Sequence, residues 1–387
     1  MKRLQFLQIT ALCIVTFVLG SAPIPAVAAA KSIAPLLQSF VDKGELAGAV
    51  ALVASKDKVL AIETVGYADV AAKGMMKADA LFWIASQTKP ITGVAVMMLV
   101  DEGKLNLDDA VEKYLPEFKD QMLAVLNESP RKPAHPITVR EVMSHTSGMP
   151  FKSAAEQPTL DALSLKDAVI SYAKTPLLSE PGTRYQYSNA GINTGARLIE
   201  VITGQSYESF MDKRLFQPLG MKDTTFWPSK EQIARLAVPH KPNAAKSALE
   251  TTTISQLYYP LDDRKKRFPM PAGGLFSTAG DVAKLCQMVL NNGELNGKRY
   301  LSAAAVKQMT SRQTPAALKE SYGVGWSTGA TFGHGGALAT NMSIDPQRGL
   351  ITVWLVQHAG YIGEGGKAQG VFRQAAEAQF GPAPVKP

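Results

Sequence analysis

The chain has 387 residues, 46% of them hydrophobic and 19% charged, with a formal net charge of +8. That is globular composition, long enough for a sizeable core, with no repeat and no low-complexity linker. The basic excess is scattered and carries no zinc-finger or RNA-motif pattern, so no nucleic-acid partner is expected.

The first element is a leader. Lys2 and Arg3 precede an apolar stretch from Leu4 to Leu19, followed by Pro23, Pro25 and "AVAAA". This layout predicts a signal peptide over residues 1–30, cleaved near Ala28 to Ala30, and a periplasmic or secreted protein with no stable membrane anchor. An uncleaved anchor is the alternative reading, because the apolar stretch approaches spanning length. Leu12 before Cys13 is too large for a lipoprotein site. The mature chain then keeps one cysteine, Cys286, so it has no internal disulfide. Cys286 shares a helical face with Val282, Leu285 and Val289 and reads as packing. The five histidines show no paired-ligand spacing, so neither a metal nor another cofactor is expected.

After the leader, Ile33, Leu36, Leu37, Phe40 and Val41 recur at helical spacing, with Ser32 to cap the helix and Gly44 to end it. "GAVALVAS" and "KVLAIETVGYADV" read as a β-hairpin. From about residue 90 to about 270 the pattern is helical, broken by loops and prolines. "DDRKKR", Asp262 to Arg267, reads as a solvated loop. "STAGDVAKLCQMVLNNG" is a capped helix. "YGVGWSTG", "TFGHGGALATNMSID" and "GLITVWLVQH" read as strands, the last two flanking the turn "DPQRG". "VFRQAAEAQF" closes as a helix. Strands at both ends with helices between predict an α+β fold. One antiparallel sheet is built from both termini, helices cover its faces, and a helical subdomain is inserted at about 90–270. The domain spans residues 31–380, and 381–387 form a tail.

Three stretches carry chemistry. In "FWIASQTKPITGVAVMML", Ser86 and Lys89 are three apart at the front of an apolar helix, hence on one face. Desolvation disfavours an ammonium there, so Lys89 suits a base for the Ser86 hydroxyl. In "PGTRYQYSNAGINTGARLIEVITG", Tyr187 suits a proton relay and Asn189 a substrate amide or carbonyl. In "FGHGGALATNMS", His334, Gly335 and Gly336 edge a strand where a ligand can approach the backbone. The N–H of Ala337 could pair with that of Ser86 as an oxyanion hole. Tyr258 and Tyr259 either line a pocket or pack, and packing is the commoner use.

These stretches, with "ITVREVMSHTSGM" and "PAGGLFSTAGDVAKL", follow the order of the β-lactamase-related serine hydrolases, which the chain resembles from about Ile33 to Phe380. S-x-x-K is that superfamily's nucleophile motif. The resemblance implies Ser86 as the acylated nucleophile and Lys89 as the group that helps deprotonate it. It implies Tyr187 as the proton shuttle and Asn189 as a contact to the acyl side. Ser86 and Ala337 match the oxyanion donors. Class C β-lactamases place K-T-G where this chain has His334-Gly335-Gly336, closer to the H-x-G of D-aminopeptidases and esterase-like members. A neutral histidine anchors a carboxylate less well than an ammonium does. His145, in "SHTSG", reads as structural.

The expected activity is therefore hydrolysis of an ester or amide through an acyl-enzyme, esterase- or D-aminopeptidase/D,D-peptidase-like. The expected partners are small-molecule ester, amide or peptide substrates, with β-lactams as a further class. The alternatives are a class C-like β-lactamase and a penicillin-binding sensor or pseudoenzyme without turnover.

Overall fold

The computed structural model describes residues 32–382; the expected signal peptide and the end of the tail lie outside the described residues. Helix α1 (Ala34–Asp42) leads into strands β1 (Gly48–Ala54), β2 (Val59–Asp69) and β3 (Gly74–Met75). The longest helices before the chain returns to the sheet are α2 (Thr88–Asp101), α3 (Asn189–Thr203) and α4 (Ala279–Leu290). The chain then returns as β4 (Phe332–Gly335), β5 (Asn341–Asp345) and β6 (Leu350–Leu355), and closes on α5 (Ala368–Phe380). The strands form one six-stranded sheet in the order β4-β5-β6-β1-β2-β3. Each neighbouring pair is antiparallel. First and last strands thus meet at the centre, Leu52 lying opposite Val353 on one side and Ile62 on the other.

The period-2 alternation of β1 sorts its side chains between two cores. Val50, Leu52 and Ala54 join Val353 and Leu355 in the larger core, with α2 and α4. Ala49, Ala51 and Val53 face the other way with Trp354, Leu37 of α1 and Phe372 of α5. Trp354 and Phe372 stack there at 5.8 Å. Every residue of β1 is therefore buried, as a central strand covered on both faces must be. Helix α2 is apolar all round, and Thr88 to Leu99 are all buried. Such a helix has no solvated face and belongs inside the molecule.

Local chemistry sets the boundaries. The Ser32 hydroxyl accepts from Ala34 N–H at 3.2 Å at the start of α1, and Gly44 beyond its end takes φ 72°. Thr278 caps α4 by accepting from Asp281 N–H. Cys286 is buried in α4, with its sulfur 3.8 Å from that of Met342 on β5. Among the described residues no helix is long and apolar enough to cross a membrane.

Three sequence expectations need correction. "YGVGWSTG" is not a strand of the sheet but a turn, with single bridges from Ser327 to Tyr322 and Gly333. Gly325 sits at φ 79° with its α-carbon against Gly93 of α2, a conformation and a proximity that a regular strand forbids. "TFGHGGALATNMSID" is two strands, not one. Leu338 and Ala339 take left-handed φ of 62° and 65°, which reverses the chain between β4 and β5. The run "DDRKKR" is not wholly solvated either: Arg267 is buried and ion-paired with the buried Asp161 at 2.7 Å.

Candidate active site

Ser86 lies in a turn of 3-10 helix, Ala85–Gln87, immediately before α2. Ala85 has φ 48°, costly for a residue with a β-carbon and tolerated only where the surroundings enforce it. They do so from two sides. Phe82 and Trp83 pair with Ser277 and Phe276, and Ile84 N–H donates to Leu275 at 3.0 Å. The Thr88 hydroxyl donates to Ala85 O at 2.7 Å and accepts from Leu275 N–H. The turn carrying Ser86 is thereby stitched to the segment 271–277.

The close approach of β4 completes this framing. A β-carbon on Gly336 would sit 2.3 Å from Thr340 Oγ1 and 2.4 Å from Ile84 O. Only glycine fits where the end of the strand meets the chain leading to Ser86. Gly335 and Ala337 beside it are exposed.

Lys89 is one turn along from Ser86 and has no solvent exposure. Its Nζ lies 3.0 Å from Ser86 Oγ, 2.8 Å from Asn189 Oδ1 and 2.6 Å from Ala272 O. Burial holds its pKa well below the ordinary lysine value. Carbonyl and amide oxygens only accept hydrogen bonds, so two of its hydrogens are committed to Asn189 and Ala272. In the neutral amine the remaining position is the lone pair, and it faces the serine hydroxyl.

Tyr187 immediately precedes the Ser188 cap of α3. Its ring lies 4.6 Å from Lys89 Nζ. Burial pushes its pKa up, against the lowering by Ser86, so it is a phenol at neutral pH. Burial thus drives the two groups flanking Ser86 in opposite senses, one to a neutral base and one to a neutral acid.

His145 is buried, and its Nδ1 accepts from Ser188 N–H at 3.1 Å. Its carbonyl accepts from Gln186 N–H at 2.8 Å. It splints the segment that carries Tyr187, 4.4 Å from that ring. His334 is only 7% exposed. Its Nε2 pairs with the Tyr322 hydroxyl at 2.8 Å and its Nδ1 with Gly335 O. Burial and the nearby Lys89 push its pKa down to about 3. His334 is therefore a neutral ring with both nitrogens engaged, 6.1 Å from the Tyr187 ring.

The structure thus gathers Ser86, Lys89 and Asn189 into one hydrogen-bonded group, with the Tyr187 ring beside Lys89, His334 6.1 Å from that ring and Gly336 against the turn that carries Ser86. Tyr258 is 69% exposed and packs edge-on against Tyr259 at 5.2 Å. Ile254, Leu257 and Leu261 of the same loop pack beside Ala85, Trp83 and Leu338. Two participants were not anticipated. Ala272 acts through its backbone carbonyl and leaves no side-chain signal. Asn193, which accepts from Ala272 N–H at 3.0 Å, was signalled by its place one helical turn after Asn189.

The sequence model of the Beta-lactamase family matches residues 33–376. Protein Rv1367c of Mycobacterium tuberculosis is 30% identical over 362 residues, covering 83% of this chain and 88% of the relative. A putative D-alanyl-D-alanine carboxypeptidase of Escherichia coli is 28% identical over 304 residues, covering 71% of this chain and 68% of the relative. The solved structure of EstCE1, a hydrolase with promiscuous acyltransferase activity, shares the fold with a TM-score of 0.74 at 24% identity, covering 89% of this chain and 97% of that one. A family match over nearly the whole described chain, around a hydrogen-bonded serine and lysine with a tyrosine ring beside the lysine, makes this protein a member of the Beta-lactamase family.

Proposed function

We propose that the chain is an exported serine hydrolase that cleaves an ester or amide bond through an acyl-enzyme on Ser86. The observation that carries the reading is the buried Lys89 amine, held by two acceptors with its third position on Ser86 Oγ. Lys89 takes the Ser86 proton as Oγ bonds the substrate carbonyl carbon. The N–H groups of Ser86 and Ala337 stabilise the oxyanion. As the carbonyl re-forms, the bond to the leaving oxygen or nitrogen breaks, and the Tyr187 hydroxyl protonates that atom. The proton on Lys89 then returns to the Tyr187 oxygen. Water attacks the Ser86 ester next, its proton relayed through Tyr187 to Lys89, which returns it to Ser86 Oγ as that bond breaks.

Asn189 in this reading contacts the acyl side of the substrate, and His334, Gly335 and Gly336 form the substrate-binding edge of the strand. In this reading residues 31–380 form one catalytic domain with the helical region of about 90–270 inserted, and residues 1–30 direct export and are removed. The carboxypeptidase name of the E. coli relative and the hydrolase title of EstCE1 support esterase- or D,D-peptidase-like substrates. One preparation assayed with a short p-nitrophenyl ester, a D-amino acid amide and nitrocefin tests the proposal. Turnover of the ester or the amide above nitrocefin is expected. Nitrocefin turnover alone would make it a β-lactamase, and turnover of none would make it a sensor.

A further inference from the structure

We infer that Glu156, Tyr172 and Asn193 are positioning residues that set the direction of the hydrogen bonds around Lys89, acting through the Ala272 peptide; this rests on Lys89 being the base for Ser86. Glu156 is fully buried and, among the described residues, forms no ion pair. Its Oε2 accepts from Ser153 N–H at 2.8 Å and its Oε1 from the Tyr172 hydroxyl at 2.7 Å. A carboxylate only accepts, so the single phenol hydrogen of Tyr172 is committed to Glu156. The Tyr172 oxygen is then left to accept, and it does so from Asn193 Nδ2 at 3.0 Å. That orients the Asn193 amide with its oxygen toward the Ala272 N–H, at 3.0 Å. The carbonyl of Ala272 takes Lys89 Nζ at 2.6 Å.

Each bond thus fixes the sense of the next, from the carboxylate to the amine. Glu156, Tyr172, Asn193 and Ala272 are all buried, so water cannot substitute for a missing member. Asn189 and Asn193 lie one turn apart on α3, hence on one face. Helix α3 therefore supplies both of the acceptors that leave the Lys89 lone pair on Ser86, one directly and one through the peptide. A buried carboxylate is costly to fold around, and packing alone does not call for one. The Thr92 hydroxyl steadies the same segment by donating to Pro271 O at 2.7 Å.

The test uses the full-length protein with Tyr172→Phe, Asn193→Ala and the double variant. It measures ester hydrolysis against pH, the rate of Ser86 labelling by a fluorophosphonate, and thermal unfolding. The titratable groups facing Lys89 are Tyr187, His145 and His334, and all three are unchanged in these variants. Asn193→Ala is expected to lower kcat about ten- to a hundredfold, the order caused by displacing a reacting group by roughly 1 Å. KM should stay within about twofold, as expected when an interaction made in the transition state is lost. The acid limb of kcat/KM should move to lower pH, because the Lys89 ammonium loses an acceptor. Tyr172→Phe should do the same to a smaller extent, and the double variant should be no worse than Asn193→Ala. Tyr172→Phe is near-isosteric and decides the matter should Asn193→Ala fail to fold. An unchanged kcat, or a fall with the acid limb unmoved and labelling lost in proportion to unfolded protein, overturns the inference while leaving Ser86 catalysis standing. A wild-type protein that neither hydrolyses the ester nor labels at Ser86 overturns both.

Discussion

Replacing Gly336 by alanine adds one carbon where β4 meets the turn before Ser86. That carbon would lie 2.4 Å from Ile84 O and 2.3 Å from Thr340 Oγ1, against 3.4 Å for ordinary contact. The threonine hydroxyl can rotate away and give up its 3.2 Å bond to Ile84 O. The Ile84 carbonyl cannot move without its chain, so the strand and the Ser86 turn must separate by 3.4 − 2.4 = 1.0 Å. A displacement of that size at reacting groups costs on the order of 10²-fold in rate, and overpacking a tight site costs about 1–3 kcal/mol of stability. The assay is kcat on a p-nitrophenyl ester, normalised to the Ser86 sites that a fluorophosphonate titrates, beside a melting curve. Gly370→Ala, in α5 with nothing within 4 Å, is the control and should retain wild-type kcat. A Gly336→Ala protein with kcat within twofold of wild type would refute the close approach as a catalytic requirement.

Four further outcomes concern the buried lysine and two ion pairs of contrasting burial. Lys89→Arg keeps a cation but removes the base, so ester turnover should fall by about 10²–10⁴; a variant with most of its rate would reduce Lys89 to a structural role. Because burial lowers the Lys89 pKa and only a free amine can accept the Ser86 proton, kcat/KM should be full above that pKa and fall as pH drops through it. That acid limb should lie well below 10.5 and be absent from Lys89→Arg, while His334, held near 3, stays neutral throughout. Arg267→Met leaves Asp161 buried without its partner and should cost about 3–5 kcal/mol in denaturant unfolding. Lys56→Met, which breaks an exposed pair, should cost under about 1 kcal/mol.

Much of this was legible in the sequence because it rests on periodicity. Ser86 and Lys89 fall at i and i+3 of a run apolar enough to be buried, and Tyr187 and Asn189 stand two apart at the start of a helical pattern. The apolar runs of β1 and β6 marked both as strands of one sheet built from the two ends of the chain. What was not legible depends on contacts between distant segments. Gly325 and Leu338 break expected strands because α2 and the Ser86 turn press against them, which no local pattern records. Arg267 sits in a charged run yet is buried by Asp161, over a hundred positions earlier. The Ala272 carbonyl has no side chain to announce it. The burial of His334 depends on Tyr322, which carried no functional signal.

The proposed chemistry passes through a covalent acyl-enzyme on Ser86. Its most direct test is the intact mass of the protein quenched during turnover of a slow ester, with the modified peptide located by fragmentation. One acyl group on Ser86 is expected, absent from a folded Ser86→Ala variant that no longer turns over. Unacylated wild-type protein during steady turnover, or a Ser86→Ala variant that still hydrolyses the ester at the wild-type rate, would contradict it.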